Sequence, residues 1–108
     1  MNLRISEDQL RFRITQGETE LLMRDGLLAF SLNLGEQTVE YSVVLAEMEQ
    51  TLTLDVQKNA WKLIVDRKDF ALFLASLPSR EGIEQAVTMK GVRLTVVLEV
   101  DVRRKRAA

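Results

Sequence analysis

The chain has 108 residues, 15 Lys+Arg against 16 Asp+Glu for a formal net charge of −1, and neither cysteine nor histidine. Without cysteine there is no disulfide, thiolate nucleophile, iron–sulfur cluster or cysteine-based zinc site. Without histidine the usual general base and the commonest metal ligand are gone, so no cofactor or metal is implied. Any catalysis would rest on carboxylates, Lys, Tyr or Arg, which places an enzyme behind a binding protein.

The length suits a single domain. The near-zero net charge argues against a generic binder of nucleic acid. No apolar run approaches the roughly 20 residues of a membrane span. The opening Met1-Asn2-Leu3-Arg4-Ile5-Ser6-Glu7-Asp8 lacks the apolar segment of a signal peptide. The expected compartment is therefore the cytoplasm.

Along the chain the dominant signal is alternation of apolar and polar residues, the mark of strands with one buried face. Leu10, Phe12 and Ile14 alternate with Arg11 and Arg13. A T-x-x-E capping box at Thr15 and Glu18 then predicts a short helix to about Arg24, with Gly26 just past its end. Phe30, Leu32 and Leu34 make the next strand, and Gly35-Glu36 suits a two-residue hairpin loop leading to Val39, Tyr41 and Val43. Leu52, Leu54 and Val56 follow, then Trp61, Leu63 and Val65, with Lys58-Asn59 between them. Asp66 caps a second helix carrying Phe70, Phe73, Leu74 and Leu77 as an apolar stripe, and Pro78 stops it. Ser79 to Gly82 reads as a polar loop. The last and longest strand carries Val92, Leu94, Val96, Leu98, Val100 and Val102 on one side, entered through a Lys90-Gly91 turn. Tyr41 and Trp61, in phase with apolar neighbours, are expected in the core.

In order, the elements read β-β-α-β-β twice. An offset of 51 lays Leu3 on Leu54, Leu10 on Trp61, Phe12 on Leu63, Thr15 on Asp66 and Glu18 on Asp69. The expectation is a single α+β domain over 1–102, made of pseudo-repeats 1–46 and 51–102, with a basic tail at 103–108. One-sided strands joined by short turns predict an antiparallel sheet of about eight strands, with two helices packed on its apolar face and a tendency to curl toward a barrel.

The run Leu10-Arg11-Phe12-Arg13-Ile14-Thr15, followed by Glu18, resembles a family of short, uncharacterised bacterial proteins that form a domain of unknown function. Its members open with a similar basic strand pair and close on a strand ending near an acidic residue, as Glu99 and Asp101 do here. Some of them carry a cysteine near the C-terminus, which this chain lacks. The resemblance supports the fold outline and implies no activity.

One cluster stands out as a candidate site. With Glu7-Asp8 as a turn, Arg4 faces Arg11 across the first hairpin, and Arg13 lies two residues further on the same face. Like charges directly opposite are destabilising, whereas the matching pair in the second half is Asp55 opposite Lys62, an ordinary cross-strand ion pair. Either Glu99 and Asp101, overhanging the last hairpin, or Glu40 neutralise the arginines, or the three guanidiniums form an anion site for phosphate or carboxylate. A further alternative turns the charged face inward, so that these arginines, Lys62 and Arg93 line a tunnel. The leading expectation is a non-catalytic interaction module, with unpaired sheet edges suited to a homodimer or a protein partner. The alternative is a small-anion-binding protein, or a His-free phosphoryl-transfer or hydrolase-type enzyme, acting through Arg4, Arg11 and Arg13.

Overall fold

The computed structural model describes residues 1–77 and 82–101. Eight strands and two helices run in the order β1 (Asn2–Ser6), β2 (Gln9–Thr15), α1 (Gln16–Asp25), β3 (Leu27–Asn33), β4 (Thr38–Ala46), β5 (Leu52–Gln57), β6 (Ala60–Asp66), α2 (Arg67–Ala75), β7 (Ile83–Met89) and β8 (Val92–Asp101). The basic tail, Val102 of the expected last strand, the expected helix stop Pro78 and the Ser79–Glu81 part of the expected polar loop lie outside the described residues.

Local chemistry sets the element ends. The Thr15 hydroxyl accepts the Glu18 N–H at 3.1 Å and the Glu18 carboxylate accepts the Thr15 N–H at 2.9 Å, which satisfies two otherwise orphaned donors at the start of α1. Gly26 ends the helix at φ +72°, a left-handed conformation that costs glycine nothing, and its N–H returns to the Leu22 carbonyl. Asp66 does more than cap α2. One carboxylate oxygen accepts the Asp69 N–H at 3.0 Å, and the other accepts the Met48 N–H at 2.9 Å from the segment joining β4 to β5. Those hydrogen bonds, from Met48 first and Asp69 second, hold the carboxyl below the ordinary carboxylate range.

The strands form two four-stranded sheets, ordered β1-β2-β8-β7 and β3-β4-β6-β5. Each is a mixed sheet, and this corrects the all-antiparallel expectation. The hairpins β1/β2, β7/β8, β3/β4 and β5/β6 are antiparallel, but each sheet joins its two hairpins through a central parallel pair, β2 with β8 and β4 with β6. Each sheet thus combines one hairpin from residues 1–46 with one from the remainder of the chain. Neither sheet closes into a barrel, because each ends on two distinct edge strands, β1 and β7 or β3 and β5.

Both sheets turn their apolar faces to one core. Leu10, Phe12, Ile14, Val96, Leu98 and Val100 come from the first sheet, and Leu28, Val43, Leu45, Leu52, Leu54, Leu63 and Val65 from the second. Leu22 of α1 and Phe70 and Phe73 of α2 complete it. The interior is apolar and the arginines are on the outer face, so the charged tunnel does not form. Tyr41 and Trp61 are half-buried rather than central, and Tyr41 stacks on Phe30 with ring centroids 6.0 Å apart.

Candidate functional site

The arginine cluster lies on the outer face of the first sheet. Alternation puts Leu10, Phe12 and Ile14 inward, so Arg11 and Arg13 must point outward. The turn at Glu7-Asp8 sets Arg4 opposite Arg11, and the parallel register sets Val97 beside Arg11 and Glu99 beside Arg13. Arg11 Nη1 reaches Glu99 Oε2 at 2.7 Å, and Arg11 Nη2 donates to Gln9 Oε1 at 3.3 Å. Arg13 Nη2 lies 3.4 Å from Asp101 Oδ1, and its Nε lies 3.9 Å from Glu99 Oε1.

Glu99 and Asp101 therefore do sit beside the arginines. They reach them by parallel pairing of β8 with the second strand, not by pairing with the first. Glu40 belongs to the other sheet and plays no part. Val97, on the same outer face beside Arg11, is only 2% exposed. Parallel strands are normally covered on both faces, usually by helices. Here long guanidinium side chains and their acids stand on the face that no helix covers among the described residues.

Arg4 is different. It is exposed on the edge strand β1 and makes no hydrogen bond or ion pair among the described residues. Arg13 Nε is buried and donates no hydrogen bond there. In the second sheet Asp55 faces Lys62 as expected from the turn, but its carboxylate accepts from Gln57 Nε2 at 2.9 Å and makes no ion pair with Lys62. Among the described residues no group of three or more acids is arranged to hold a metal ion.

A second feature was hidden in the sequence. The edges of β5 and β7 approach each other, and the Leu52 N–H donates to Gln85 Oε1 at 3.0 Å across the gap. The other two edges, β1 and β3, make no such approach. Beside them Ile5 is 65% exposed, Leu27 49%, Leu32 53% and Leu34 59%. Alternation alone assigned Leu32 and Leu34 to the core. The signal that sets them apart is that Leu27 to Leu34 contains no charge and no proline, the devices with which natural edge strands guard against pairing.

No helix among the described residues is long and apolar enough to cross a membrane. The model of a family of unknown function, DUF7009, matches residues 1–104, and the chain belongs to that family. No curated protein and no solved structure matches the chain.

Proposed function

From membership of a family with no assigned activity, we propose that the protein is a small cytoplasmic, non-catalytic interaction module that pairs with a polypeptide partner along the open side of its two sheets. The observation that supports this reading is the difference between the two seams. The two sheets have matching orders, each joining two hairpins through a central parallel pair, so each leaves two edge strands. One seam is closed by Leu52 and Gln85, and the other is left open with unprotected main chain and exposed leucines. An exposed edge lined with apolar side chains is what an added strand needs: main-chain hydrogen bonds for affinity and side-chain pockets for choice of partner.

The test is affinity capture from the source organism's cells with wild-type protein, Leu32→Glu and Arg4→Ala. Stoichiometric partners should be lost from Leu32→Glu and retained by Arg4→Ala. Equal behaviour of the two variants overturns the reading.

A second reading is favoured by Arg4 alone, whose guanidinium lacks a partner among the described residues. It makes Arg4, Arg11 and Arg13 a site for phosphate or carboxylate, in a binding protein or a phosphoryl-transfer or hydrolase-type enzyme. Thermal shift with phosphate, pyrophosphate, nucleotides and Mg²⁺ separates the two, because a ligand that binds only the native state raises the melting temperature. The interaction module predicts no rise at millimolar ligand. A rise abolished by Arg4→Ala supports the anion site instead.

A further inference from the structure

We infer that the occupant of the open β3 edge is a second copy of this chain, with the two β3 strands paired antiparallel about a two-fold axis at Phe30. This rests on the interaction reading above and names its partner.

The ladder with β4 decides which groups are free. Leu34 N–H donates to the Gln37 carbonyl at 2.7 Å, and Leu45 N–H to the Gly26 carbonyl at 3.0 Å. Hydrogen-bonded pairs alternate along an antiparallel ladder. Leu28, Phe30 and Leu32 therefore spend their main-chain groups on Val43, Tyr41 and Val39. Leu27, Ala29, Ser31 and Asn33 direct theirs outward. A two-fold axis at Phe30 sets Ala29 opposite Ser31 and Leu27 opposite Asn33, so every outward group of the strand gains a partner.

Side chains agree with the same axis. In a symmetric pair each residue meets another from the same short stretch, and the residue on the axis meets its own copy. Leu27 to Asn33 contains no charge, so no like charges are brought together. The exposed Leu32 comes opposite Leu28 of the second copy, on the face that carries the core. The apolar row Leu28, Phe30, Leu32 then runs on from one copy into the next. The β1 edge is shorter, five residues against seven, and carries the exposed Arg4.

Two variants test the axis from opposite directions. In Ser31→Pro the lost N–H is one the monomer's own ladder does not use, so the subunit keeps its fold by circular dichroism while pairing is blocked. Sedimentation across a dilution series should show wild type and Ile5→Glu as dimers, and Ser31→Pro with half their mass. Because the chain has no cysteine, Phe30→Cys reports the axis directly: oxidation should link two copies covalently. Leu27→Cys, whose copies lie about 20 Å apart in this register at about 3.3 Å per residue, should not link. A monomeric wild type at all concentrations overturns the inference, as does a dimer that survives Ser31→Pro. If such a monomer still loses its captured partner in Leu32→Glu, the interaction reading stands and only the identity of the partner falls. If capture is also insensitive to Leu32→Glu, both fall.

Discussion

At the seam between β5 and β7, Leu52 is fully buried and its N–H finds the side-chain oxygen of Gln85. At the seam between β1 and β3, Ile5 and Leu32 are more than half exposed, and no hydrogen bond joins the two strands among the described residues. Counting back from the two hairpin turns, Gly35-Glu36 and Lys90-Gly91, places Phe30 where the other hairpin has Gln85. Phe30 stacks on Tyr41 of its own sheet and has no acceptor to offer a neighbouring strand. At one seam an inward-facing amide bridges the two edges; at the other an aromatic ring takes that place and offers no such bridge.

The largest expected effect comes from the closed side. Leu52→Ala removes a fully buried side chain and should cost about 2–5 kcal/mol in urea unfolding. Ile5→Ala, on the open side, should cost less than about 0.5 kcal/mol. Equal losses would mean that the open seam is packed after all, by a partner or by a second copy present in the assay.

Next is the link itself. Gln85→Ala leaves the Leu52 N–H without its acceptor and should destabilise by about 1–3 kcal/mol. It should also raise amide hydrogen exchange along β5 toward that of β1. If β5 protection does not change, the approach of the two edges is held by core packing alone, and the amide is incidental.

The outer faces of the two sheets extend the contrast. In the first sheet Arg11, Arg13, Glu99 and Asp101 form a ladder beside the buried Val97, while the second sheet shows Val44, Ile64 and Lys62 at comparable places. Glu99→Gln should cost about 1 kcal/mol, a partly exposed pair being worth little more, and the cost should shrink in high salt. Lys62→Gln should be neutral. A neutral Glu99→Gln would show that Val97 is sheltered by the aliphatic parts of the arginines without their ion pairs.

Local signals were legible in the sequence, and long-range pairing was not. The Thr15/Glu18 capping box, the Gly26 stop, the four tight turns and the Arg4–Arg11 and Asp55–Lys62 registers all depend on residues close in the chain, and each formed as read. The parallel contacts of β2 with β8 and of β4 with β6 join strands far apart. Nothing in one-sided alternation announces them, because parallel strands normally show apolar residues on both faces. The first sheet departs from that rule by setting an arginine–carboxylate ladder beside Val97. The same limit explains Leu32 and Leu34: period-two alternation says which face a residue occupies, and not how far along that face the core extends.

The smallest effect concerns the two helices. Gly17 occupies the second position of α1, where the offset of 51 places Lys68 in α2. A glycine there leaves the unfolded chain freer than any other residue would and adds nothing to the folded helix. Its backbone is not left-handed, and a Cβ built on it would meet only the Thr15 hydroxyl oxygen, at an ordinary 3.9 Å. Gly17→Ala should therefore stabilise by about 0.5 kcal/mol, through loss of freedom in the unfolded state, which for a chain of this size raises the melting temperature by roughly 2–4 °C. The matching change Lys68→Ala, at a site that already carries a good helix former, should move it by less. A destabilised Gly17→Ala would mean that the Thr15/Glu18 box needs the open space beside the hydroxyl, and that the first helix depends on its cap more heavily than the second does on Asp66.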